Sequence, residues 1–108
     1  MGTKALKVTT DGVVEEIAIN DYTDIQAVVG GLFDVAGLEG NVFVNDEGLL
    51  VGLPYNPVAS LYAKQHLVGD AVVTGFADAE GNTTDINDLT MISVKGIALF
   101  LGVGSAEV

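Results

Sequence analysis

Apolar and polar positions alternate along much of this chain, and the changes of period mark its elements. Ala5–Thr9 and Val13–Ile19 are β-rich runs on either side of Asp11-Gly12, a dipeptide that closes hairpins. Val13, Glu15, Ile17 and Ile19 share one face of the second run, so that face is mixed rather than cleanly apolar. The period then lengthens. Ile25, Val28 and Val29 form a helical stripe, Thr23 with Gln26 has the spacing of a capping box, and Gly30-Gly31 supplies a left-handed stop. These signals predict a helix over Asp21–Val29.

Leu32–Val35 and Asn41–Val44 read as two further strands joined by the glycine-containing AGLEG. Asn45-Asp46-Glu47-Gly48 is a turn signal, and Leu49–Leu53 is expected to return as a strand. In that pairing Val42, Val44, Leu49 and Val51 share a cross-strand apolar face. Ala59–His66 has a helical pattern that Gly69 ends, Ala71–Ala77 is a strand, and DAEGN is its exit turn. From Thr84 onward the pattern is again helical, capped by Thr84 or Asp85, with Ile86, Leu89, Ile92 or Ser93, and Ile97 on one side. Gly96 costs such a helix about 1 kcal/mol relative to alanine, which leaves Ile97–Leu101 open as a strand instead. No internal repeat, linker or low-complexity tract interrupts the order ββαβββ(α)βα. The expectation is one α+β domain spanning residues 1–108 with a mainly antiparallel sheet.

Composition adds two constraints. Nearly half of the 108 residues are apolar and fourteen are glycine, which argues for a packed chain; apolar surface beyond one small core would suit a homo-oligomer. Fifteen carboxylates face four lysines and no arginine, a formal net charge of -11. Phosphate binding by charge needs basic side chains, so direct nucleic-acid binding is not expected. The plain account of the acidity is solubility, and the functional one is attraction to a basic host protein.

Candidate chemistry is sparse. The absence of cysteine excludes disulfides, thiolate metal sites and cysteine nucleophiles. His66 is the sole histidine and lacks a nearby partner for catalysis or metal binding. Asp78–Asp85 imitates a calcium loop, but Thr83 stands where glycine is needed and Leu89 where a bidentate glutamate belongs. Gly30-Gly31 follows a helix rather than a strand, and Gly102-Val103-Gly104 has no lysine after it, so neither is a phosphate cradle. Neighbouring carboxylates such as Glu15-Glu16 or Asp46-Glu47 diverge in extended backbone and make poor glycosidase pairs. No enzyme, cofactor, catalytic residue or metal site is expected. The opening MGTKALKVTTDG lacks the apolar core of a signal peptide, Ile97–Val103 is far too short to span a bilayer, and a cytoplasmic protein is expected.

The most distinctive stretch is GLPYNPVAS, Gly52–Ser60, which holds both prolines of the chain. Pro54 and Pro57 push Leu53 and Asn56 toward extended backbone and stiffen the loop. In one reading Tyr55 and Asn56 are presented to a partner, with Asp46 and Glu47 as acidic neighbours. In the other Tyr55 packs on the sheet and Asn56 satisfies backbone groups in the turn.

The run NDEGLLVGLPYNPVA, Asn45–Ala59, resembles a pattern N-E-E-G-K-x-x-G-L-P-x-N in a domain-of-unknown-function family of tailed phages, actinobacteria and mobile elements. Asn45, Glu47, Gly48, Gly52, Leu53, Pro54 and Asn56 match it; Asp46 and Leu49 depart from its Glu and Lys. Val28–Gly31, Gly69-Asp70 and Thr83–Asp85 match further steps, so the similarity runs from about Asp21 to Leu89. The resemblance implies a phage or prophage setting and no catalytic assignment. The expected function is therefore that of a non-enzymatic accessory protein acting by binding, with the acidic inhibition of a host DNA-binding or defence protein as its sharper form. The alternatives are a small-ligand or nucleotide-binding module at the proline-framed loop, and a structural homo-oligomer.

Overall fold

The computed structural model describes residues 2–106, so Met1 of the opening segment lies outside the described residues. The elements are β1 (Thr3–Val8), β2 (Val14–Ile19), α1 (Tyr22–Val29), β3 (Phe33–Ala36), β4 (Val42–Asn45), α2 (Gly48–Val51), α3 (Pro57–Ala63), β5 (Ala71–Val73) and α4 (Asp88–Ala106). The strands form one antiparallel sheet in the order β2-β1-β5-β4-β3. The α+β class and the antiparallel sheet are as the sequence pattern predicts.

Alternation along the central strands puts apolar side chains on both sheet faces. Ala5, Phe43 and Val72 meet Ile25 and Val29 of α1 on one side. Leu6, Val8, Val42, Val44, Ala71 and Val73 meet Val58, Ala59 and Ala63 of α3 and Val94 of α4 on the other. The result is three layers. Their inner strands are short and almost wholly apolar, as burial on both faces requires. Phe33 and Phe43 stack edge to face at 5.3 Å between ring centroids and close the first layer at the β3 edge.

Four local expectations are corrected. Leu49–Leu53 is not a return strand; Gly48–Val51 is the single helical turn α2, closed by Gly52 in the left-handed region at φ 75°. β4 pairs with β3 on one side and β5 on the other, so it has no free edge for a returning strand. Val42 and Val44 therefore have no cross-strand partners in Leu49 and Val51, which are exposed. The cap of α1 is Asp21 rather than Thr23. The Asp21 carboxylate accepts the Thr23 backbone N–H at 2.9 Å and the Thr23 hydroxyl, while Asp24 closes the box on the backbone of Asn20 and Asp21. Gly30, at φ 87°, ends this helix as expected.

The third correction concerns the segment before α4. Thr84 and Asp85 do not cap the helix; Asn87 does, its side-chain oxygen accepting the Thr90 N–H at 2.7 Å. Asp85 instead accepts the Lys4 N–H, Ile86 N–H donates to the Lys4 carbonyl, and Thr84 bridges Gly75. β5 stops at Val73 rather than Ala77, and beyond it, as part of this lashing, Gly75 makes an isolated antiparallel bridge to Thr84. Fourth, α4 runs through Gly96 and on past Leu101, so no strand forms at Ile97–Leu101 and Gly102-Val103-Gly104 lies within the helix. Val94 is fully buried and Ile97 and Ala98 pack on the same cluster, and that tertiary packing outweighs one glycine. The inward face is Thr90, Met91, Val94, Ile97 and Ala98; Leu89 and Ile92 point to solvent.

Gly75 is where the lashing is tightest. A Cβ at this position would fall onto the backbone carbonyl of Asp85 and the Thr84 hydroxyl. Gly75→Ala is expected to destabilise the protein by about 1–3 kcal/mol through forced backbone displacement, read as a lower urea midpoint; an unchanged midpoint contradicts the tight approach. The Asp21 carboxyl is held below the ordinary aspartate range, chiefly by the Thr23 hydroxyl and then by the Thr23 N–H, and Glu16 is lowered by its hydrogen bond to Lys95. A depressed folded-state pKa gives stability that is present above the unfolded pKa and lost as pH falls through the folded one. Asp21→Ala should therefore melt lower than wild type at neutral pH, and the gap should close on acidification below the ordinary aspartate range. A gap that widens in acid contradicts the assignment.

Candidate functional site

The proline-framed stretch is built into the fold as a strap. Gly69 N–H donates to the Pro54 carbonyl at 2.7 Å, Tyr55 bridges Val68, and Asn56 N–H donates to the Leu67 carbonyl at 2.9 Å. Residues 54–56 thus zip antiparallel onto 67–69. Pro57 then starts α3 in the first helical turn, where its missing N–H breaks no hydrogen bond. Ser60 in the next turn closes the far side, its hydroxyl donating to the Leu67 carbonyl and accepting the Leu67 N–H.

Asn56 is fully buried (0% exposed) and every arm of its side chain is engaged. Its oxygen accepts the Ala59 N–H at 3.0 Å and caps α3; its nitrogen donates to the carbonyls of Val8 and Gly69 at 3.0 and 2.9 Å. It faces the interior and presents nothing to a partner, which corrects its reading as a surface contact. Satisfaction of backbone groups is its role. Tyr55 points the other way. It is half exposed and its ring stacks on His66 at 5.0 Å between centroids. Among the described residues no hydrogen-bond partner orients the His66 imidazole.

Asp46 and Glu47 sit in the exposed turn between β4 and α2. Asn45 holds that turn, accepting the Glu47 N–H at 2.7 Å while donating to the Val29 carbonyl at the end of α1. Gly48 is buried where a Cβ would strike Val68, so α2 can approach the strap only without a side chain there. This close approach turns Leu49 and Leu50 outward, the latter 86% exposed.

An open groove of about 360 Å³ lies beside α2. Ala36 and Val44 line it from the sheet, Leu49 and Leu50 from α2, and His66 from the strap; Asp34 and Asp46 stand among the lining residues with no lysine or arginine. Of the sequence candidates, Asp46 lines this groove and Tyr55 supports it through His66, whereas Glu47 and Asn56 do not line it. Asp34, Leu49, Leu50 and His66 escaped sequence reading as a group. The usable signal was the triplet Leu49-Leu50-Val51 after a turn, which fits neither period and places apolar side chains in succession. In the calcium-like loop, the Asp78 carboxylate accepts the N–H groups of Glu80 and Asn82, closing a local turn. Among the described residues no cluster of histidine and carboxylate side chains is arranged to hold a metal ion, and no helix is long and apolar enough to cross a membrane.

Residues 3–96 match the family model described as a domain of unknown function (DUF3846), and the chain belongs to that family. No curated protein and no solved structure matches it.

Asn56→Ala removes a helix cap and leaves two buried carbonyls without a donor. It should cost about 2–4 kcal/mol of unfolding free energy by urea titration. Asn56→Asp retains the capping oxygen but buries a charge opposite two carbonyls, and should rescue none of that loss. Full stability of either variant contradicts the assigned hydrogen bonds.

Proposed function

We propose that this DUF3846 protein is a non-enzymatic binding protein whose groove beside α2 receives a basic, partly apolar segment of a second protein. The carrying observation is the pairing of outward-facing Leu49 and Leu50 with Asp34 and Asp46 on a surface free of lysine and arginine. Apolar side chains supply area, and the carboxylates favour cationic partners and disfavour anionic ones. The resemblance of Asn45–Ala59 to proteins of tailed phages and mobile elements supports a host protein as the partner. A host factor that ordinarily holds nucleic acid carries the lysines and arginines such a groove selects, which makes inhibition of a DNA-binding or defence protein the sharper form of the reading. A small-ligand site framed by Tyr55 and Asn56 together is disfavoured, because Asn56 is spent inside the fold.

A titration with a helical Lys/Leu peptide tests this, with a Glu/Leu peptide of equal length as control. The expected result is saturable binding of the first alone, weakened by salt, with amide shifts concentrated at Leu49, Leu50 and His66. Leu49→Ser/Leu50→Ser should abolish it at unchanged circular dichroism, because both side chains are exposed. Equal binding of both peptides, or shifts elsewhere on the surface, counts against the groove.

A further inference from the structure

α4 carries a second apolar face that its own fold leaves uncovered. Leu89, Ile92, Leu99 and Phe100 are each about two-thirds to three-quarters exposed, on the side opposite Val94. Leu89, Ile92, Gly96 and Leu99 follow the three-four-three spacing of a helix-pairing seam. Gly96 is the recess in that seam, since a Cβ there would meet nothing within 4 Å.

We infer that this face pairs with the same face of a second copy of the chain, α4 against α4, in an antiparallel two-fold contact. The spacing reads the same in both directions. One crossing centre, near Val94, sets Ile92 of each copy opposite Gly96 of the other and Leu89 opposite Leu99. Two knobs thus meet two recesses, which is the self-complementarity that an isologous interface requires.

Charge selects the same occupant. Two copies of a chain with net charge -11 repel wherever carboxylates meet. From Leu89 to Ala106 there is no carboxylate, and the single charged residue is Lys95, already paired with Glu16 at 3.0 Å. The antiparallel arrangement also holds the two acidic Asp88 turns about 18 Å apart along the helix axis, at 1.5 Å rise per residue. This face is separate from the groove beside α2, and either can fail without the other.

Sedimentation velocity over a dilution series tests the pairing. Wild type is expected to be a dimer at high micromolar concentration that dissociates on dilution and strengthens in high salt, the reverse of the salt effect at the groove. Ile92→Glu/Leu99→Glu should be monomeric with an unchanged circular dichroism spectrum. Gly96→Leu should melt higher as an isolated chain, because leucine favours helix in that open space, yet dimerise more weakly because the recess is filled. A wild-type monomer at every concentration, or a dimer that survives these substitutions, overturns the proposal. Flotation of the wild-type monomer with neutral phosphatidylcholine vesicles would likewise overturn it, by assigning the face to a lipid surface.

Discussion

The buried amide of Asn56 joins three parts of the molecule that are far apart in the chain. One side chain caps α3, holds the carbonyl at the end of β1 and holds the carbonyl that precedes β5. Each of these backbone groups is shut away from water and would be costly to leave unpaired. The strap of residues 54–56 on 67–69 places the amide, and the strap in turn sets where α2 ends and α3 begins. The groove inherits its shape from this arrangement: α2 and residues 65–68, which line it on either side of α3 in the chain, are held together by the strap.

The residues behind the family resemblance acquire physical roles in this light. Asn45 fastens the end of α1 to the turn after β4, Gly48 admits the strap at close range, Gly52 closes α2 in a left-handed conformation, and Asn56 ties the core. These are architectural duties. The exposed side chains of Leu49 and Leu50, between Gly48 and Gly52, serve no such purpose.

What the sequence disclosed follows the same division. Strand and helix periods, the Asp11-Gly12 hairpin and the Gly30 stop depend on local chemistry, and they were legible. The fate of Leu49–Leu53 was not, because it depended on both edges of β4 being taken by strands elsewhere in the chain. Continuation of α4 through Gly96 likewise depended on burial of Val94, which no local pattern reports. The groove was illegible for a related reason. Its acidic and apolar members come from β3, β4, α2 and the strap, and only the fold brings them together.

The register of the middle of the sheet has a consequence for how the protein is made. β1 lies between β2 and β5, with Leu6 paired to Val73 and Val8 to Ala71, so more than sixty residues separate the partners. The first hairpin can close as soon as it leaves the ribosome, but one edge of β1 must wait until β5 has been synthesised. Through that interval its Ala5, Leu6 and Val8 stand beside an open row of backbone donors and acceptors, the kind of edge that recruits stray strands. Loop closure over such a span is slow compared with the local hairpin. The nascent chain is therefore at its most aggregation-prone before residue 73, and a truncation that removes β5 exposes the same edge permanently.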